Sequence, residues 1–222
     1  MRDLHNLSIC FDLDGTIIDT APDLVRVLNA VIAQDGLPGT DYKSARDRVG
    51  FGAKVLIREA FERAGKDITE PRLDELLDDF LRLYAEDIAR LSQPFPGVLT
   101  TLRDLKNAGA KLSVCTNKPG FLARPLITAL NMDVYFDRVV GSRDGVASKP
   151  SAEHIFAAAG HRDAKRIIMV GDALPDVAAA RNAGVPVILM GFGYADTPPA
   201  RLRADRVLRR FRDLPVDVRE LR

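Results

Sequence analysis

The sequence predicts an α/β protein: a doubly wound, Rossmann-like parallel sheet with a small α-helical bundle inserted after its first strand. Three observations carry this. Past Pro96, short apolar runs alternate with helical periodicity; among them are Leu112-Ser113-Val114-Cys115, Ile167-Ile168-Met169-Val170 and Val187-Ile188-Leu189-Met190. Continuous apolar runs of this kind suit parallel strands covered on both faces. Before Pro96 the pattern is helical throughout, apart from one apolar run at 7–11. That run leads into two carboxylates, Asp12 and Asp14, and ligands of doubly wound sheets bind outside the carboxyl ends of the strands.

The first strand is expected over about residues 7–12. Leu24, Val27, Leu28 and Val31 then share one helical face. So do Ala53, Leu56, Ile57, Ala60, Phe61 and Ala64, and again Leu73, Leu76, Leu77, Phe80, Leu81 and Tyr84. Helices with no strand between them read as a bundle. Asp19-Thr20-Ala21-Pro22 and Ser92-Gln93-Pro94-Phe95-Pro96-Gly97 break the periodicity at its two ends and are the candidate hinges. The expected division is a core of residues 1–17 and 93–222 and a helical insertion of residues 18–92. Within the core, helices are expected near 97–108, 119–131, 152–159 and 174–183. Strands are expected at 111–115, 138–141, 166–170 and 186–190.

The chain has 222 residues, long enough for one full core plus an insertion. Its formal net charge of +1 gives no global field for nucleic acid or a membrane surface. The arginines of the tail, Arg201 to Arg212, are interleaved with Asp205 and read as a solvated face. No apolar stretch reaches membrane-spanning length and the N-terminus lacks a signal-peptide pattern, so a cytoplasmic protein is expected. Cys10 and Cys115 sit in apolar runs and read as buried free thiols.

Residues two apart on a strand point to the same side. Asp12 and Asp14 therefore project into one small volume, where two carboxylates repel unless a metal ion, a shared proton or a phosphoryl group uses them. Three further polar groups fall where strands end or helices begin: Thr116-Asn117-Lys118, Lys149-Pro150, and Gly171-Asp172 with Asp176. Backbone N–H groups at such turns are free to bind an anion. Singly these residues have plainer readings. Asp172 and Asp176 could cap a helix, Thr116 or Asn117 could do the same, and Lys149 could be a surface lysine. Asp12 and Asp14 have no such reading, because paired acids gain nothing from burial. Gly50-Phe51-Gly52 and Gly191-Phe192-Gly193 lack the third glycine of a dinucleotide loop. His5, His154 and His161 lack metal-ligand spacing.

In order, these motifs resemble the four motifs of the haloacid dehalogenase-like phosphohydrolases, and the helical insertion resembles that superfamily's small cap. The resemblance spans the chain. It implies that Asp12 is the nucleophile, forming an aspartyl-phosphate, and that Asp14 is the acid and then the base. It implies that Thr116, Asn117 and Lys149 bind the phosphoryl group. It implies Mg2+ held by Asp12, the backbone carbonyl of Asp14 and Asp172, with Asp176 supporting the metal shell. An acid two residues after the nucleophile favours phosphate esters, whose alkoxide needs a proton, over halides, which leave without one.

Within the superfamily the opening segment through Ala21-Pro22-Asp23-Leu24, the segment 49–53, Thr116-Asn117-Lys118-Pro119 and Gly193-Tyr194 resemble bacterial phosphoglycolate phosphatases. Ala173 and Ser151-Ala152 depart from that pattern. The resemblance implies a small phosphorylated metabolite as partner, with no nucleic acid or membrane, and a monomer or homodimer. Arg46, Arg48, Lys54 and Arg58 surround the glycine pair, and Arg48 and Lys54 are the candidates for a substrate carboxylate. A broader phosphatase of sugar phosphates, nucleotides or pyrophosphate would share every catalytic residue. A phosphonoacetaldehyde hydrolase would need a Schiff-base lysine, for which Lys54 is the nearest candidate. A silent phosphometabolite-binding protein would not need the acids that this chain keeps.

Overall fold

The computed structural model describes residues 4–46 and 48–222. β1 (Ser8–Phe11) is followed by the two-residue β2 (Ile18–Asp19) and by four helices: α1 (Ala21–Ile32), α2 (Tyr42–Arg46), α3 (Ala53–Arg63) and α4 (Glu70–Glu86). The chain returns through β3 (Gln93–Pro94) and then alternates: α5 (Val98–Asn107), β4 (Lys111–Pro119), α6 (Gly120–Ala129), β5 (Arg138–Ser142), α7 (Ala152–Ala159), β6 (Ile167–Gly171), α8 (Leu174–Ala183) and β7 (Val187–Met190). β8 (Arg206–Leu208) and α9 (Leu214–Glu220) close it. The large sheet has the order β5-β4-β1-β6-β7-β8 with every pairing parallel. The chain order reverses at β1, so the end of β1 opens onto the crevice where such sheets bind ligands.

Alternation along the strands explains their continuous apolar runs. Ile9, Phe11, Leu112, Val114, Ile168, Val170, Ile188 and Met190 join a core that includes α5, α6 and α9. Cys10, Cys115, Ile167, Met169, Val187 and Leu189 face the opposite way, against α7 and α8. Burial pushes the Cys10 thiol up to about 12 and raises that of Cys115. Both pack in the layer against α7 and α8, and burial disfavours the reactive thiolate.

The helical segment buries the three faces read from its periodicity, and its apolar residues belong to the same cluster as the α5–α6 face of the sheet. Thr69 accepts a hydrogen bond from the Arg72 N–H to cap α4, and Ser151 accepts one from the Glu153 N–H to cap α7. The entry and exit of the segment are tied together. Ile18 pairs with Pro94 and Asp19 with Gln93 in an antiparallel ribbon. The buried carboxylate of Asp23 accepts from the N–H groups of Leu91 and Ser92 (2.8 Å each), the Ser92 hydroxyl (2.7 Å) and Arg26 Nε (3.0 Å). Burial alone would push this carboxyl up, but those donors hold it below the usual carboxylate range.

The ribbon, the five-residue α2 and the three-residue β8 were not expected from the sequence. Each is too short to show periodicity. β8 is an edge strand inside the basic tail and is only partly covered. Elsewhere the expected elements and the observed ones differ by a few residues at their ends. The largest difference is β4, which runs on to Pro119 through a register shift.

Asp23→Ala strands two backbone donors and a hydroxyl at the neck of the helical segment. It is expected to lower stability by about 3 kcal/mol, read from urea denaturation at neutral pH.

Candidate active site

The site assembles at the carboxyl ends of β1, β4 and β6. The Asp12 N–H bonds to the Val170 carbonyl (2.8 Å), which holds the first acid beside the end of β6. Leu13-Asp14-Gly15 then folds into a tight turn. Gly15 lies at φ 80°, and a Cβ there would come within 2.6 Å of Asp172 Oδ2 and 2.8 Å of the Tyr194 ring. Glycine is required at that position by both conformation and close approach. Gly193 approaches Asp172 as tightly, since a Cβ there would lie 2.1 Å from Asp172 Cβ.

Lys149 organises the acids. Its buried ammonium lies 2.9 Å from Asp12 Oδ1 and 2.6 Å from Asp176 Oδ1. The second Asp176 oxygen accepts from the N–H groups of Asp172 and Ala173, at 3.0 Å each, at the start of α8. Asp172 accepts from the Thr16 hydroxyl (2.7 Å) and the Tyr194 N–H (2.6 Å). Asp14 accepts from the Thr20 hydroxyl (2.6 Å) and sits 3.2 Å from the Lys118 ammonium. Lys118 also lies over the Tyr84 ring of α4, 4.5 Å from its centroid. Asp12, Asp14, Thr116, Asn117, Lys118, Lys149, Asp172 and Asp176 all line one cavity of about 340 Å³.

The electrostatics follow from burial of this set. Burial, opposed by Lys149, pushes the Asp12 carboxyl up to about 6. Burial and the neighbouring Asp176 and Asp12 raise Asp172 well above the usual carboxylate range. Burial disfavours the charge on Lys149, but Asp12 and Asp176 overcome it and keep the ammonium protonated. Burial likewise opposes the charge on Lys118, and Asp14 prevails. Four acidic side chains face two lysines, so acids outnumber the cations beside them. Oxygen atoms of Asp12, Asp172 and Asp176 lie within 4.8 Å of one another, an all-oxygen donor set that fits a hard divalent cation.

Several expected site residues behave differently from the sequence reading. The Asn117 side chain is engaged by the Lys149 backbone. Its Oδ1 accepts from the Lys149 N–H (2.9 Å) and its Nδ2 donates to the Lys149 carbonyl (3.1 Å), so the amide fixes the lysine loop. The Asp176 carboxylate is consumed by Lys149 and the α8 turn, so it orders the site more directly than it offers a free ligand oxygen. Arg48 is not among the cavity-lining residues. Its guanidinium reaches Glu59 (3.6 Å) and Asp196 (3.7 Å). Lys54 does line the cavity, but its ammonium is held by Asp74 (2.6 Å) and Glu70 (3.2 Å), which raise its pKa. Thr116 is buried, and its hydroxyl accepts from the Lys118 N–H (3.1 Å).

Four contributors were given no individual role by the sequence reading. Lys118 follows Thr116 by two, the strand spacing that already paired Asp12 with Asp14, so the alternation rule could have found it. Thr16 and Thr20 hold Asp172 and Asp14 by tertiary contacts that the sequence does not display. Tyr194 links three parts of the molecule. Its N–H holds Asp172, its hydroxyl donates to Asp19 (2.5 Å) and accepts from the Ala21 N–H (3.0 Å), and Arg46 of α2 lies over its ring at 5.2 Å. The same arginine also donates to the Phe192 carbonyl.

Acids paired with a buried lysine at the topological switch of a doubly wound sheet form an arrangement suited to phosphoryl transfer. Residues 9–190 match the family described as haloacid dehalogenase-like hydrolase. The chain is 43% identical to the phosphoglycolate phosphatase of Caulobacter vibrioides, over 97% of this chain and 92% of that one. It is 34% identical to the N-acetylmuramic acid 6-phosphate phosphatase of Pseudomonas aeruginosa, over 98% and 96% of the two chains. The crystal structure of a predicted phosphoglycolate phosphatase from Haemophilus somnus superposes with a TM-score of 0.87 at 30% identity, covering 97% and 98% of the two chains. The chain belongs to the haloacid dehalogenase-like hydrolases.

His154 of α7 supports the lysine loop from behind. It is fully buried, and its Nδ1 accepts from the Lys149 N–H (3.1 Å). Burial, with Lys149 nearby, lowers its pKa to about 4 from 6.5. The folded state thus keeps this imidazole neutral where the unfolded chain protonates it. The group costs nothing above pH 6.5, and its cost grows as pH falls from 6.5 to 4, reaching about 3 kcal/mol. His154→Asn, which retains an acceptor, is expected to flatten the acid limb of stability over that window, read from urea midpoints at pH 7, 6 and 5 relative to the unaltered protein.

Proposed function

We propose that the protein is a Mg2+-dependent phosphatase acting through an aspartyl-phosphate, with 2-phosphoglycolate as substrate. The coarser level, a phosphoric monoester hydrolase, stands on the family match and the named relatives. The observation that carries the finer reading is the Lys149 ammonium shared between Asp12 and Asp176 in the cavity that also holds Asp14, Thr116 and Asp172.

In this reading an Asp12 oxygen attacks phosphorus and forms an acyl phosphate as the ester P–O bond breaks. The electron pair of that bond leaves with the alkoxide, which takes a proton from Asp14. Asp14 then removes a proton from water, and the water attacks phosphorus to release phosphate and regenerate Asp12. Lys118 and the Thr20 hydroxyl hold the Asp14 carboxyl in place for both transfers. Lys149 and Thr116 offset charge on the phosphoryl oxygens. Asp12 and Asp172 would hold the cation, which when bound supplies the missing positive charge and polarises the phosphoryl group.

Residues 18–92 act as a cap over a core of residues 1–17 and 93–222. Leu24, Leu56, Leu77, Phe80, Leu81 and Tyr84 from the helical segment wall the cavity and would exclude bulk water when the cap is closed. The β2–β3 ribbon is the hinge of this motion. The Schiff-base alternative is disfavoured, because Asp74 and Glu70 keep Lys54 protonated when that chemistry needs a neutral amine. Both small acids in the relatives' printed names, phosphoglycolate and N-acetylmuramic acid 6-phosphate, join a phosphate monoester to a carboxylate. The cavity is roomy for the smaller one.

A panel of phosphate esters assayed with Mg2+ tests the substrate. Phosphoglycolate is expected to rank first, and a sugar-acid phosphate ranking first would replace it. Asp14→Asn tests the proton. Hydrolysis of an alkyl ester is expected to fall about 100-fold or more, while nitrophenyl phosphate, whose leaving group needs no proton, loses far less. Equal losses on both esters would remove Asp14 from the acid role.

A further inference from the structure

A phosphorylated carboxylic acid brings two anions to the cavity, and the phosphoryl end accounts for only one of them. The cations lining the cavity are Lys54, Lys118, Lys149 and Arg143. Lys54 is spoken for by Asp74 and Glu70, Lys118 by Asp14, and Lys149 by Asp12 and Asp176. Among the described residues of the lining, Arg143 is the cation that makes no hydrogen bond or ion pair.

The chain around Arg143 is built to leave it so. Ser142 at the end of β5 registers with Pro119, which places Arg143 one strand over from Thr116 at the carboxyl edge of the sheet. The adjacent acid is engaged elsewhere: Asp144 Oδ2 accepts from the Gly141 N–H (2.9 Å) and from Arg124 of α6 (2.6 Å). Asp144 Oδ1 packs against Gly120, where a Cβ would lie 2.2 Å away. These contacts pin the turn. Arg143 itself adopts φ 65°, a left-handed conformation uncommon for a side-chain-bearing residue and held only where its surroundings impose it. Arg143 is exposed, so the pinned turn fixes where its side chain starts and leaves an unpartnered guanidinium fork at the edge of a site for anions.

We propose that Arg143 is a specificity-determining residue that binds the second anionic group, a carboxylate, of the phosphorylated acid. This rests on the phosphatase reading and assigns to the core edge a task that the sequence had placed on Arg48 and Lys54 of the helical segment. Selectivity arises because a carboxylate can take two N–H groups of this fork at once, whereas an ester with a neutral end leaves them to water.

The test is the ratio of kcat/KM for 2-phosphoglycolate to that for ethyl phosphate, its analogue without the carboxylate, measured with Mg2+. The unaltered protein is expected to favour phosphoglycolate by at least about tenfold. Arg143→Ala and Arg143→Gln are expected to cut the ratio by about 10- to 100-fold, the effect of a charge-assisted hydrogen bond, with the change lying mainly in KM. Arg143→Lys, which keeps a point charge, should restore part of the ratio. Circular dichroism melts identify the variants that are folded, and since Arg143 contacts no partner, all three should be. A ratio unchanged within about threefold in Arg143→Ala or Arg143→Gln overturns the proposal. So does an unaltered protein that shows no preference between the two esters, although its hydrolysis of ethyl phosphate would still uphold the phosphatase reading. Failure to hydrolyse any ester with Mg2+ overturns both.

Discussion

The ion pairs that Lys149 makes with Asp12 and Asp176 are the constraint on which the rest of the site depends. A buried ammonium is tolerable only with carboxylates beside it, and buried carboxylates only with cations. The two pairs fix one another. Asp12 is anchored through its N–H to β6, Asp176 through its second oxygen to the first turn of α8, and the lysine loop through Asn117 and His154. The lysine cannot move without unpairing an acid, so the nucleophile candidate is presented in one orientation. Asp12, Asp14, Asp172 and Asp176 still outnumber the two lysines beside them. That excess of acids is the reason the site suits a divalent cation followed by an anionic substrate. Stability is spent here on preorganisation.

The same logic runs outward to the helical segment. Tyr194 holds Asp172 with its backbone while its ring and hydroxyl engage Arg46, Asp19 and Ala21. Lys118 holds Asp14 and at the same time lies under Tyr84 of α4. Asp172 is therefore joined to the segment that walls the cavity through Tyr194, and Asp14 through Lys118 and, directly, the Thr20 hydroxyl. In the proposed mechanism, these contacts would carry a shift of that segment to Asp14 and Asp172.

The strand framework was legible because both faces of the sheet are covered, so its strands print as unbroken apolar runs bounded by polar turns. The acids were legible because Asp12 and Asp14 have no structural excuse at the end of such a run. Legibility stopped where a residue's task depends on its partners. Arg48 and Lys54 looked like free cations beside a glycine pair, and the fold gives both of them acids from distant segments. Asn117 carried an expected phosphate contact, and the fold adds that its side chain braces the backbone of Lys149. Arg143 drew no notice in sequence, since its distinguishing property is the absence of a partner and that exists only once Asp144 has been claimed by Arg124 and Gly141. β8 stayed hidden because three residues of a basic edge strand show no alternation.

Everything above turns on Asp12 being the group that takes the phosphoryl from the substrate. The most direct measurement is rapid acid quenching of the Mg2+-loaded protein during turnover of a phosphate ester, followed by peptide mass spectrometry. A phosphoryl increment on the peptide that contains Asp12, absent from Asp12→Asn along with turnover, is the result expected. Steady hydrolysis with no label on that peptide, or turnover that survives in Asp12→Asn, would contradict it.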